Sequence, residues 1–280
     1  MSPLCDTSKA QHHCPHRIDP GRYSDARLST SMGLPRHLRH APITEAVIDL
    51  RVDSAAGTSV DDLVAALGRH DNLGYLQKGL LIHSEFGFSL KVEAEPKVMH
   101  EGRATTTGVR LHSTDERYIA QLGVAGFTLS RLEPYESWEH LVEETKRLWR
   151  GYLECIGPGR VTRIATRYIN NLRLPFTPEL SDFLLLAPSI PQGLPEALSS
   201  FLQRYVLHDA VTQTTSIVTE GLEEASPEKP LPLILDIDVF RHTNLAVDDA
   251  AVWTYLEQLR GVKNRIFFGC LTEAGVALYQ

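Results

Sequence analysis

Apolar residues between Trp138 and Ile156 recur with the spacing of an amphipathic helix. They form a single stripe at the 3.6-residue period. Ser137 is the predicted N-cap, and Gly157-Pro158-Gly159 predicts the end of the helix. Because the stripe is long and carries large side chains, we expect the helix to pack across the apolar face of a sheet.

Several other segments alternate between apolar and polar residues, which is the pattern of strands with one wet face. The alternation covers residues 160–173, 80–94 and 106–113, and the hairpin 117–132. Residues 43–52 also predict a strand, but apolar and polar residues mix on both of its faces. No long helical pattern separates the strands between 80 and 132, which favours hairpin connections over βαβ units. The sequence therefore predicts an α+β fold, an antiparallel sheet meander with long amphipathic helices packed on one face.

The second part of the chain repeats this mixture after a proline-rich stretch. We predict an α+β domain or half at 34–174, a proline-rich connection at 175–195 and a second α+β half at 196–280. Within the second half we predict a helix over 196–207, strands over 211–219 and 233–240, and a C-terminal helix after Ala246. A strand followed by Val-Asp-Asp occurs in both parts, which suggests two related halves.

Residues 1–33 are polar and show no hydrophobic period, so we expect a disordered tail. Met32 lies directly before the patterned region and is an alternative start. The tail also contains cysteine and histidine residues, but their spacing matches no standard zinc finger, and we predict no metal site. These tail residues are Cys5, His12, His13, Cys14 and His16.

Composition narrows the class of protein. The chain has 280 residues, 42% of them hydrophobic, and a formal net charge of −7. An acidic chain disfavours general nucleic-acid binding, and the sequence has no apolar run of the ~20 residues that a membrane-spanning helix needs. With four cysteines it has no disulfide framework. We therefore expect a cytoplasmic protein that does not bind membranes.

Four segments together resemble a known family. They are APITEAVIDLRV at 41–52, RIATRYINNL at 163–172, LDIDVF at 235–240 and NRIFFGCLTE at 264–273. The chain resembles, over residues 34–280, a sporadically distributed and functionally uncharacterised bacterial family with API-EAV, RYIN, LDIDVF and FF-S-T segments. This resemblance implies an intracellular α+β protein. It brings no catalytic residues.

Two arginines and two aspartates are the candidate site residues. Arg163 and Arg167 point to one face of a predicted strand, and Asp236 and Asp238 to one face of another. The aspartates could bind a divalent cation, and the arginines a phosphate or carboxylate. We favour a third interpretation, in which the four residues form a ladder of ion pairs between strands.

No short motif of a nucleophile, a cofactor loop or a metal cluster occurs in the sequence. We therefore expect no cofactor, and most simply a non-catalytic binding or regulatory component whose partner is another protein, with a homodimer left open. The alternative is a small metal-assisted enzyme acting on a phosphorylated or nucleotide-like substrate. It would use the arginines for anion binding and the aspartates for metal or acid–base chemistry.

Overall fold

Strands make up most of the regular structure. The computed structural model describes residues 38–54, 57–68, 74–91, 97–176, 179–195, 198–222 and 230–280. The strands are β1 (Ile43–Ser54), β2 (Tyr75–Lys91), β3 (Lys97–Ser113), β4 (Tyr118–Gly123), β5 (Gly126–Leu132), β6 (Gly159–Leu174), β7 (Phe201–Asp209), β8 (Thr214–Leu222) and β9 (Leu231–Ala246). The helices are α1 (Val60–Gly68), α2 (Trp138–Ile156), α3 (Ala251–Cys270) and α4 (Glu273–Ala277), with a 3-10 turn at Leu180–Asp182.

All nine strands belong to one sheet in the order β2-β3-β4-β5-β1-β6-β9-β8-β7. Every neighbouring pair runs antiparallel. The predicted α+β class with an antiparallel sheet is therefore confirmed. The prediction of long amphipathic helices is not supported as a general layer, because among the described residues only α2 and α3 exceed ten residues.

One face of the sheet carries the apolar core. Leu50 of β1 lies opposite Phe127 of β5 and Ile164 of β6, so these three side chains share that face. All three are fully buried. Phe127 packs edge-on against Trp149 of α2, and α3 packs on β6 and β9. The opposite side, which neither α2 nor α3 covers, is called the open face below.

Helix α2 begins and ends as its sequence predicts. The Ser137 hydroxyl accepts a hydrogen bond from the His140 backbone N–H at 3.2 Å, which satisfies one of the otherwise unpaired donors of the first turn. Gly157 follows the last turn at φ 66°, and its N–H donates to the Leu153 carbonyl. The left-handed φ explains why a glycine stands at this position.

The predicted helix over 196–207 is wrong, because residues 201–209 form the edge strand β7. Apolar residues at 201, 202, 205 and 206 fit a short helix and a short strand equally well. Antiparallel pairing with β8 along all nine residues decides the outcome. The hairpin therefore overrides a local pattern that could not distinguish the two structures.

The two predicted halves share the sheet. Residues 38–280 form one compact unit, and β6, which the prediction assigns to the first half, lies between β1 and β9. The proline-rich connection packs onto the end of α3, since Leu184 is buried and bridges to Leu271. The predicted tail at 1–33 and its cysteines and histidines lie outside the described residues.

Candidate functional site

The four predicted site residues lie together on the open face, on the neighbouring strands β6 and β9. Arg167 is directly opposite Asp238 in the register of these strands, and Arg163, four residues earlier on β6, is opposite His242. Because successive residues of a strand point to opposite faces, positions 163 and 167 share a face, as do 236 and 238. The structure thus brings together all four residues, and each arginine bonds to at least one aspartate.

Arg167 forms a two-pronged ion pair with Asp236. Its Nε and Nη2 donate to the two carboxylate oxygens at 2.8 and 2.5 Å. This hydrogen bonding raises the pKa of the Arg167 guanidinium above its usual value. The arginine side chain is nevertheless 49% exposed, so water screens the pair and limits what it adds to stability.

Arg163 is buried more deeply and bridges two carboxylates. Its Nη1 donates to Asp49 Oδ1 at 2.8 Å and its Nη2 to Asp238 Oδ2 at 3.2 Å. Its guanidinium carbon also lies 4.4 Å from the centroid of the Phe240 ring, a cation–π distance. The guanidinium therefore sits between Asp49 and Asp238, where a cation bridging them would otherwise lie.

Asp49 of β1 is the residue that the sequence analysis missed. Its Oδ1 also accepts from Arg51 Nε at 3.2 Å, and its Oδ2 accepts from the Thr128 hydroxyl at 2.8 Å. Arg51 and Arg163 lie directly opposite each other on β1 and β6, so Asp49 neutralises two like charges that would otherwise repel. Apolar and polar residues mix on both faces of the predicted strand at 43–52, so only the strand register shows what Asp49 contacts.

Asp238 differs electrostatically from an exposed aspartate. Burial raises the pKa of its carboxyl, Arg163 and Arg167 act in the opposite direction, and Asp236 and Asp49 add to the rise. The net direction is upward, so the protonated form of Asp238 is favoured more than in water. Arg163 and Arg167 thus compensate the burial of the Asp238 charge only in part.

The network forms part of the floor of a depression of about 530 Å³ on the open face. Acidic, basic, hydroxyl, amide and small apolar side chains all line it. The lining residues are Glu45, Val47, Asp49, Arg51, Gln121, Thr128, Ser130, Arg163, Ala165, Arg167 and Asp238. Three lining residues are acidic and three are basic, so neither sign of charge dominates the surface.

Within the described part of the chain, no three histidine, cysteine, aspartate or glutamate side chains are grouped so that they could hold a metal ion. Asp236 and Asp238 both bond to arginines rather than facing each other across an open position. No described helix is long and apolar enough to cross a membrane.

A comparison with known protein families and with characterised proteins found no match to either. Function must therefore be argued from the geometry of the open face.

Proposed function

We propose that this chain is a non-catalytic binding or regulatory component of the bacterial cytoplasm, and that its partner, another protein, binds in the depression on the open face. The observation that supports this most is the closure of the charge network. Arg163 and Arg167 each bond to carboxylates on neighbouring strands, so they hold the surface in one shape. A shape fixed before binding lowers the entropic cost of association.

The chemistry of the depression fits a protein surface better than a uniformly charged ligand. Three acidic and three basic side chains balance one another along its lining, while Val47 and Ala165 contribute apolar area. A polyanion such as a nucleic acid would gain little from a surface with equal numbers of both charges. A protein segment carries both signs of charge and apolar side chains, which is the mixture this lining complements.

Gln121→Arg tests the proposal without touching the network. Gln121 lines the depression, and its side chain makes no hydrogen bond to any described residue, so the longer cation fills space and adds charge. The full chain and the variant are used as bait in a lysate of the source organism. The full chain should recover one protein at close to one-to-one stoichiometry, and the variant at least tenfold less, because the added side chain occupies the binding volume.

Gln77→Arg is the matched control. Gln77 is exposed on the edge strand β2, outside the depression, and should leave recovery unchanged. Equal recovery by wild type and Gln121→Arg would contradict the proposed site. If instead the protein converts a phosphorylated metabolite in the presence of Mg²⁺, and Asp238→Asn abolishes this conversion, then the enzymatic alternative replaces the proposal.

We also propose that the sheet consists of two related halves that meet between β1 and β6, so that β6 belongs to the second half and not, as predicted from the sequence, to the first. The central strands β1 and β6 are each the first strand of one half. Going outward, β1 pairs with β5, the last strand of the first half, and then β4 follows; β6 pairs with β9, the last strand of the second half, and then β8 follows. A long helix follows that last strand in both cases, α2 after β5 and α3 after β9. The depression lies across the junction of the two halves, where a site shared by both would form.

A further inference from the structure

The exposed apolar residues of the described strands concentrate on the two edges of the sheet. Those of β7 are Leu202, Tyr205, Val206 and Leu207, and those of β2 are Leu76, Leu80 and Ile82. On β7, Leu202 and Val206 project from the open face, while Tyr205 and Leu207 project from the helix-bearing face. The edge formed by β7 is therefore apolar on both faces.

An exposed edge strand offers unpaired backbone N–H and C=O groups to another chain. Proteins usually protect such edges with prolines, lysines, bulges or very short strands. β7 has nine residues, contains no proline or lysine, and pairs with β8 in continuous register without a bulge. Among the described residues, no strand pairs with its outer side. Arg204 and Asp209 are the charged residues of this strand, and apart from them the nine-residue edge lacks such devices and is suited to being paired.

We propose that β7 pairs with β7 of a second copy of this chain, which joins the two sheets into one continuous antiparallel sheet. Two identical strands related by a twofold axis perpendicular to the sheet are antiparallel and keep the same face upward. Both copies would then carry their helices on the same side. This inference concerns the edge of the sheet and does not depend on the proposed function of the open face.

The charge of Arg204 and the length of β7 together favour one register for the pairing of the two β7 strands. With the twofold axis at Tyr205, all nine residues of each strand find a partner, and Arg204 lies opposite Val206 of the second copy. Moving the axis to residue 204 places Arg204 opposite itself. Moving it to residue 206 places Arg204 opposite His208, and both shifts leave strand ends unpaired. Arg204 directly opposite its own copy is unfavourable, and either shift leaves strand ends unpaired, so the register centred on Tyr205 is preferred.

Sedimentation velocity on the full chain tests the dimer. Wild type should dimerise, and Tyr205→Asp should raise the dissociation constant at least tenfold, because two carboxylates would face each other at the axis. Val211→Asp is the matched control, since Val211 is 93% exposed and lies beyond the paired segment. It should leave the dissociation constant unchanged. A wild-type chain that stays monomeric at about 100 µM, or equal effects of the two variants, would overturn the proposal.

Disulfide formation tests the register and does not rely on a destabilising variant. Directly opposite residues on antiparallel strands have Cα atoms ~4.5–5.5 Å apart, which is within disulfide range. Tyr205→Cys should therefore form an intermolecular disulfide on mild oxidation. Gln203→Cys should not, because its symmetry mate lies four residues further along the strand, roughly 13 Å away. Crosslinking by Gln203→Cys but not by Tyr205→Cys would contradict this register.

Discussion

Replacing Asp49 with alanine is expected to lower the free energy of unfolding by about 2–4 kcal/mol. The aspartate side chain is only 13% exposed and bonds to Arg163, Arg51 and Thr128. Without it, two arginines that lie directly opposite each other lose the carboxylate between them, and the Thr128 hydroxyl loses its acceptor. Urea unfolding of the two proteins at pH 7 measures the difference.

Asp236→Ala is the comparison for this prediction. It removes an ion pair of good geometry, but Arg167 is half exposed and water can solvate the freed guanidinium. We expect a loss of about 1 kcal/mol, the range of exposed pairs. A larger loss for Asp236→Ala than for Asp49→Ala would show that Asp49 is not the centre of the network.

Replacing Lys263 with methionine is expected to stabilise the protein at pH 6. Lys263 lies on α3 and is buried, with its Nζ 3.8 Å from the centroid of the Tyr168 ring. Burial, with a smaller contribution from Arg260, lowers the pKa of Lys263 from 10.5 to about 7. Keeping this side chain charged inside the protein is therefore costly, and methionine fills a similar volume without a charge.

The stability difference between wild type and Lys263→Met should depend on pH, and the lowered pKa of Lys263 sets the direction of that change. Between pH 7 and 10.5 the unfolded chain holds a proton on Lys263 that the folded protein has largely released, so wild-type stability rises with pH across this window. The advantage of the methionine variant should therefore shrink by about 2–3 kcal/mol between pH 6 and pH 9. The hydroxyls of Tyr168 and Tyr135 do not contribute to this change between pH 6 and pH 9. Burial raises the pKa of Tyr168 well above its usual value and raises the pKa of Tyr135 to about 12.

Thermal or urea unfolding of wild type and Lys263→Met at matched pH values measures the difference. Lys263→Arg is the charged control, and its stability relative to wild type should fall between pH 6 and pH 9, because arginine stays protonated where Lys263 loses its proton. A difference between wild type and Lys263→Met that does not vary from pH 6 to pH 9 would mean that Lys263 keeps an ordinary pKa in the folded state.

The sequence predicted helices and strands correctly where the spacing of apolar residues fits only one of the two structures. Ser137 caps α2 as expected. The segment 201–209 was misassigned because its apolar residues fit both periods. Strand pairing, which depends on residues distant in the chain, decided its structure.

The candidate site was only partly predictable for the same reason. Strand alternation shows that Arg163 and Arg167 lie on one face of their strand, and that Asp236 and Asp238 lie on one face of a second strand. Their opposite charges suggest that the two pairs of side chains contact each other. Asp49 lies on a predicted strand whose two faces are both mixed, and no local pattern encodes that β1 lies between β5 and β6 in the sheet. The depression arises from side chains of five strands, so only the assembled sheet reveals it.

The charge network on the open face is closed in the free protein. A double-mutant cycle between Asp49→Ala and Arg163→Met tests this directly, because it isolates the interaction of the two side chains from the other effects of each substitution. We expect a coupling free energy of at least about 1.5 kcal/mol in urea unfolding at pH 7. A coupling below about 0.5 kcal/mol would contradict it, since Arg163 would then be solvated and free to bind an anionic ligand.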